Sequence, residues 1–131
     1  PGVVGANNHK GSKATADKQI MEWVLEELKR RGMFFVDSRT SRYSVVAKTA
    51  KHIGEPVLVN EVFLDGVRQE SYVTRQLQKL VALAKKDGAA VGIGHVSSQP
   101  TIAVLEREIP QYMDQGINFV YAHELIGREI N

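Results

Sequence analysis

The chain has 131 residues, 43% of them hydrophobic and 24% charged, with 11 glycines, 4 prolines and no cysteine. That balance suits a folded globular chain of about one domain and excludes disordered, collagen-like and low-complexity classes, and the lack of cysteine excludes a disulfide scaffold, a zinc finger and a thiol nucleophile. Seventeen Lys and Arg against 15 Asp and Glu leave a net charge of +2, too little for a nucleic-acid footprint, and no apolar run approaches the ~20 residues that span a bilayer.

The chain begins at Pro1 without Met and enters a strand-like run at once, which reads as a sequence entered in its middle. Val3-Val4-Gly5-Ala6 ends in Asn7-Asn8-His9. From about Thr15 to Arg31, Ile20, Met21, Val24, Leu25 and Leu28 form a stripe at helical spacing, closed by Lys29-Arg30-Arg31 and Gly32, a run that complements a helix C-terminus. Met33 to Val36 is a buried strand ending at Asp37-Ser38. A helix from about Arg42 to Ile53 follows, closed by Gly54, and then the strand Val57-Leu58-Val59, Asn60-Glu61 and Val62-Phe63-Leu64-Asp65. The longest helical stripe runs from about Gln69 to Lys86. Ala89 to Ile93 is a fourth strand, ending at Gly94-His95. Pro100 opens a helix that Pro110 stops, and Ile117 to Tyr121 is a last strand before His123-Glu124. The aromatic residues, Trp23 included, follow core periodicity. Strands this uniformly apolar are buried on both faces, so the chain is an α/β protein with a mostly parallel sheet or barrel.

In such folds the loops at the C-terminal ends of the strands open on one face, and chemistry collects there. Here those ends carry Asn7, Asn8 and His9; Asp37 and Ser38; Asn60 and Glu61; His95 with Ser97 and Ser98; and His123 with Glu124. Three of the four histidines are at strand ends, and His52 is the exception. Each group also has a structural reading. Asp37-Ser38 suits a helix cap, Asn7-Asn8 a turn, Glu61 a solvated charge and each His a hydrogen-bonded structural group. Taken jointly, His, Asp and His on separate strand ends suit a shared metal. Gly92-Ile93-Gly94 lacks the rest of a dinucleotide fingerprint, and no P-loop, nucleophile-elbow serine or paired-histidine zinc helix is present.

Gly5-Ala6-Asn7-Asn8-His9-Lys10-Gly11-Ser12 resembles the Gly-x-Asn-Asn-His-x-Gly-Ser signature of the divergent polysaccharide deacetylases. Phe35-Val36-Asp37-Ser38-Arg39-Thr40, Val62-Phe63-Leu64-Asp65 and Ile93-Gly94-His95 are similar to three further elements of that family, in the same order. The resemblance implies an irregular (β/α) barrel of the polysaccharide deacetylase type, of which residues 1–131 form the C-terminal portion as a single domain. It also implies hydrolysis of an acetamide or ester on a carbohydrate by water activated on a divalent metal, Zn being the expected ion. Carried over by motif, His9 is a metal ligand and His95 the general acid. Asp37 joins His95 among the catalytic residues, and Asn7, Asn8, Ser38 and Asp65 contact the substrate. The family's metal-binding Asp pair lies upstream of the Asn-Asn-His signature, so the first strands are expected to be missing from this chain. The family also implies an exported protein acting on an acetylated carbohydrate, with no nucleic-acid partner. Two other readings fit the residues: a non-catalytic glycan- or protein-binding module on the same barrel, and a small open α/β domain of flavodoxin-like order.

Overall fold

The computed structural model describes residues 2–126 and groups them into two compact units, residues 2–60 with 122–126, and residues 61–121. Within each unit, helix-length segments rather than two-residue turns separate the apolar runs, so the strands pair in parallel through crossovers. The chain is an α/β protein with parallel sheets and five α-helices among the described residues.

In the first unit the order of elements is β1 (Gly5–Asn7), α1 (Ser12–Thr15), α2 (Lys18–Arg30), β2 (Phe34–Asp37), α3 (Val46–Ile53) and β3 (Val57–Val59). β1 and β3 flank β2 in parallel, with Gly5 opposite Phe34 and Phe35 opposite Val57. Met21 and Leu25 of α2, Phe35, and Val46 and Ala50 of α3 form the core. Gly5 makes a close approach possible, because a Cβ there would lie 2.6 Å from the Phe34 ring. A short 3-10 turn, Ala122–Leu125, belongs to the same unit.

The expected helix over 15–31 is divided at Ala16. Asp17 caps α2 by accepting the Ile20 N–H at 3.0 Å, the usual role of Asp at that position. Only part of the α2 stripe is buried: Leu25 is fully covered, whereas Trp23 is 63% exposed and Ile20 and Val24 are 37% exposed. The aromatic residues therefore divide, with Phe35 in the core and Trp23, Tyr43 and Tyr121 at the surface. The basic run closing α2 also serves more than its own helix. Lys29 Nζ donates to the Ile53 and Gly54 carbonyls at the end of α3, at 2.8 and 3.4 Å. Arg30 and Arg31 clasp Glu27 at 2.7 and 2.6 Å, Arg30 first, and hold its carboxyl down to about 2. α3 starts four residues later than the expected Arg42, because Ser44 Oγ donates to Asp37 at 2.6 Å and accepts the Val46 N–H at 3.3 Å. That hydroxyl makes residues 42–45 a loop.

The second unit contains β4 (Val62–Phe63), α4 (Glu70–Asp87), β5 (Gly92–Ile93) and α5 (Gln99–Asp114). β4 and β5 pair in parallel, Val62 opposite Gly92 and Phe63 opposite Ile93. Val73 and Leu77 of α4 and Val104 of α5 bury against Val62 and Leu64. α5 does not stop at Pro110 but runs on to Asp114. An interior proline costs about 3 kcal/mol. Here Gln111 Nε2 donates to the Arg107 carbonyl at 3.2 Å, and Tyr112, beyond the proline, packs on the core; tertiary packing carries the helix through. Ile117–Tyr121, expected as a strand, is irregular, with Phe119 and Val120 partly exposed. An apolar run becomes a strand only where a ladder partner receives it, which composition does not reveal.

The contrast along α2 sets a test of this core. Leu25→Ala is expected to cost about 2–5 kcal/mol of unfolding free energy, and Trp23→Ala less than about 0.5 kcal/mol, measured by denaturant unfolding.

Candidate functional site

In the first unit the ends of β1 and β2 are tied together by side chains. Asn8 Oδ1 accepts the Ser38 N–H at 2.8 Å, and Asn8 Nδ2 donates to the Lys10 carbonyl at 2.8 Å and to Thr40 Oγ1 at 3.3 Å. Thr40 Oγ1 donates to the same Lys10 carbonyl at 2.9 Å, and Asn7 Nδ2 to Ser38 Oγ at 3.2 Å. Asp37, 2% exposed, accepts the Arg39 N–H at 2.8 Å and the Ser44 hydroxyl. It therefore reaches the start of α3 through Ser44, a cap made at one remove. Lys10 and Arg39 are the two non-glycine residues with positive φ among the described residues, at 58° and 55°. Both belong to these loops, and an L-residue rarely adopts that backbone without support. Asn60, at the end of β3, is buried; its Nδ2 donates to the Ser38 carbonyl at 3.3 Å, while Oδ1 meets no donor among the described residues. Pairing with that carbonyl fixes which end of the amide is nitrogen.

In the second unit the residues after β4 and β5 meet around one carboxylate. The Asp65 side chain is 1% exposed. Its Oδ2 accepts the His95 backbone N–H at 2.6 Å and the Thr101 hydroxyl at 3.0 Å, and its Oδ1 lies 2.9 Å from His95 Nδ1. Burial pushes the Asp65 carboxyl up, but donation from the His95 backbone, the His95 ring and Thr101 more than offsets it, and the group sits below its ordinary value. An ionised carboxylate only accepts, so the proton between Asp65 and the ring is on Nδ1, and Nε2 is the second ring nitrogen. The His95 side chain is 43% exposed.

Asn7, Asn8, Asp37 and Ser38 are thus brought into one network in the first unit, and Asp65 and His95 into one pair in the second. His9 follows that β1 network on an exposed stretch of loop. Glu61 accepts the Val91 N–H at 2.9 Å and so closes the edge of the β4–β5 pair. No group of three or more His, Cys, Asp or Glu side chains able to hold a metal ion occurs among the described residues, so His9 and its neighbours do not complete a metal site by themselves. A cavity of about 250 Å³, lined by Lys18, Val45, Lys48, Thr49 and His52, includes none of the strand-end residues. Sequence reasoning missed Thr40, Ser44 and Thr101. Thr40 and Ser44 follow the strand end within a few residues, and Thr101 lies three residues after Ser98 at the start of α5, a spacing that places both on the first turn of a helix.

The family profile described as divergent polysaccharide deacetylase matches residues 1–126. The chain belongs to the divergent polysaccharide deacetylase family. It is 41% identical over 112 residues to an uncharacterized protein of Haemophilus influenzae, covering 83% of this chain and 40% of that protein. It is 33% identical over 109 residues to the uncharacterized protein YibQ of Escherichia coli K12, covering 83% of this chain and 34% of YibQ. The crystal structure of an uncharacterized protein from Agrobacterium tumefaciens C58 is similar with a TM-score of 0.89 at 28% identity, over 93% of this chain and 49% of that one. The chain therefore spans less than half the length of the relatives it matches. No helix among the described residues is long and apolar enough to cross a membrane.

The depressed Asp65 carboxyl has a consequence in acid. Its folded-state value is below its unfolded one of about 3.9, so its stabilisation is complete above that value and is lost as the pH falls through the folded-state value. Melting temperature followed from pH 6 to pH 2 is expected to fall less steeply at the acid end in Asp65→Asn than in the wild type.

Proposed function

We propose that this chain is part of a metal-dependent hydrolase that removes acetyl groups from a carbohydrate. The observation that carries this reading is the buried Asp65 carboxylate held on His95 Nδ1 at 2.9 Å. Hydrolysis of an acetamide needs a proton delivered to the departing amine, and a half-exposed imidazole with Nδ1 held by a carboxylate does this through Nε2. As the ring takes up a proton, the carboxylate stabilises the imidazolium; when Nε2 gives it up, Nδ1–H remains bonded and the ring keeps its orientation. Family membership supports the substrate class.

In the same reading Asp37 is the carboxylate that accepts the proton of the attacking water, and Asn7, Asn8 and Ser38 orient the sugar from the loop network of the first unit. Asp65 acts through His95 rather than by touching the sugar. His9 is one ligand of a divalent ion, Zn by the chemistry of a His and carboxylate set, with the further ligands outside the described residues. In this reading the residues belong to an irregular (β/α) barrel of the polysaccharide deacetylase type, and an acetylated carbohydrate substrate suits an exported protein acting in the envelope or beyond.

In the full-length protein, His95→Ala is expected to lower acetate release from an acetylated oligosaccharide by roughly 10²–10⁴-fold with zinc content unchanged. His9→Ala is expected to lose the near-stoichiometric zinc measured by elemental analysis of the wild type. A folded full-length protein with neither zinc nor acetate release, whose glycan binding a chelator leaves intact, would overturn the hydrolase and identify a binding module instead.

A further inference from the structure

Ser98 stands at the N-cap of α5, where serine is among the best residues for accepting a backbone N–H, and its backbone is extended as a cap requires. Yet its side chain makes no capping hydrogen bond. Ser98 is 1% exposed and its Oγ lies 2.8 Å from Thr101 Oγ1. Thr101, 2% exposed, occupies the third helical position, from which a capping-box side chain would reach back to the cap backbone. Its hydroxyl lies instead 3.0 Å from Asp65 Oδ2. A hydroxyl has one proton and the carboxylate can only accept, so Thr101 donates to Asp65 and Ser98 donates to Thr101. Two hydroxyls suited to capping a helix are turned onto a carboxylate in a neighbouring loop, at the expense of the cap, which is ordinarily worth about 1 kcal/mol.

Two further features converge on the same point. A Cβ at Gly94, the residue before His95, would lie 3.0 Å from Thr101 Cγ2, tighter than side chains normally tolerate, so the glycine leaves room for Thr101 beside Asp65. The Ser98 N–H donates to the His95 carbonyl at 2.9 Å, which fixes the turn between the histidine and the helix. Asp65 thus receives hydrogen bonds from the backbone of His95, from its ring, and from the first turn of α5, whose dipole also favours a negative charge there.

We infer that Ser98 and Thr101 are positioning residues: their hydroxyl chain fixes the Asp65 carboxylate so that the His95 ring keeps its proton on Nδ1 and presents Nε2 to the reacting group. This rests on the reading of His95 as the proton-transfer residue, but it can be read without turnover. The measurement is ring-nitrogen NMR of His95 in the full-length protein at pH about 8.5, above the ordinary histidine range, beside acetate release.

The wild type is expected to show the Nδ1–H tautomer. Thr101→Val is expected to give a mixture of tautomers and a fall in kcat of about tenfold, the low end of the loss that follows removal of an outer partner of a metal-bound histidine, with KM within about twofold. Thr101→Ser, which restores the hydroxyl, is expected to restore both. If Thr101→Val does not fold, Ser98→Ala gives the same reading, since no cap bond is lost with it: a partial shift toward Nε2–H supports the chain, and an unchanged tautomer overturns it. Wild-type tautomer and rate in Thr101→Val, with His95→Ala inactive, would overturn the inference and leave the hydrolase reading standing. A tautomer shift in Thr101→Val with no acetate release from the wild type would support the inference and overturn the hydrolase.

Discussion

Parallel pairing is the constraint from which the site follows. Two parallel strands cannot be joined by a tight turn, so each strand is left through a loop that leads to a helix, and within a sheet all such loops emerge at the same edge. In the first unit this brings the residues after β1, β2 and β3 together although they are some thirty and twenty positions apart in sequence: Asn8 meets Ser38, and Ser38 meets Asn60. In the second it brings the residue two positions after β4 to the residue two positions after β5, Asp65 to His95. The polar contacts are short because the ladders have already set the separation.

Within that frame each unit buries an aspartate at a strand end and employs it differently. Asp37 accepts from the backbone two residues ahead and from Ser44, all within one loop, so its charge shapes the chain that carries it. Asp65 accepts from the other strand and from the helix after it, so its charge holds a neighbour in place. A buried carboxylate is costly unless its oxygens are satisfied, and both are. The two differ in the owner of the donors: for Asp65 these include an ionisable ring with a face to solvent, for Asp37 only backbone and a hydroxyl.

Much of this was legible in the sequence because it rests on local pattern. The helical stripes of α4 and α2, the apolar strands β2 and β3 and the polar residues that end them can be read from period and punctuation. What escaped depended on partners. Trp23 carries the right spacing for a core and faces outward, since spacing tells which residues share a face and not whether a neighbour covers it. Pro110 is a helix breaker in isolation and is overruled by Tyr112. Ser44 shortens α3 because a carboxylate seven residues earlier draws its hydroxyl back, and Thr101 matters through an aspartate 36 positions away; neither relation leaves a trace in the local pattern. His95 stands out at the end of an apolar strand in an Ile-Gly-His element, whereas nothing in the local pattern ties Asp65, 30 positions earlier, to its ring.

The contact between Gly5 and the Phe34 ring bears on what a signature sequence records. The glycine opens the Asn-Asn-His element, and it is tempting to treat the whole string as a chemical fingerprint. Its first letter, however, answers to a steric demand from the strand alongside: any side chain there would collide with an aromatic ring. In a relative stripped of every reactive group, a Cβ at that place would still force a facing aromatic ring to shift. The string is therefore a composite of architecture and chemistry, and its persistence in a protein testifies to the sheet before it testifies to the reaction.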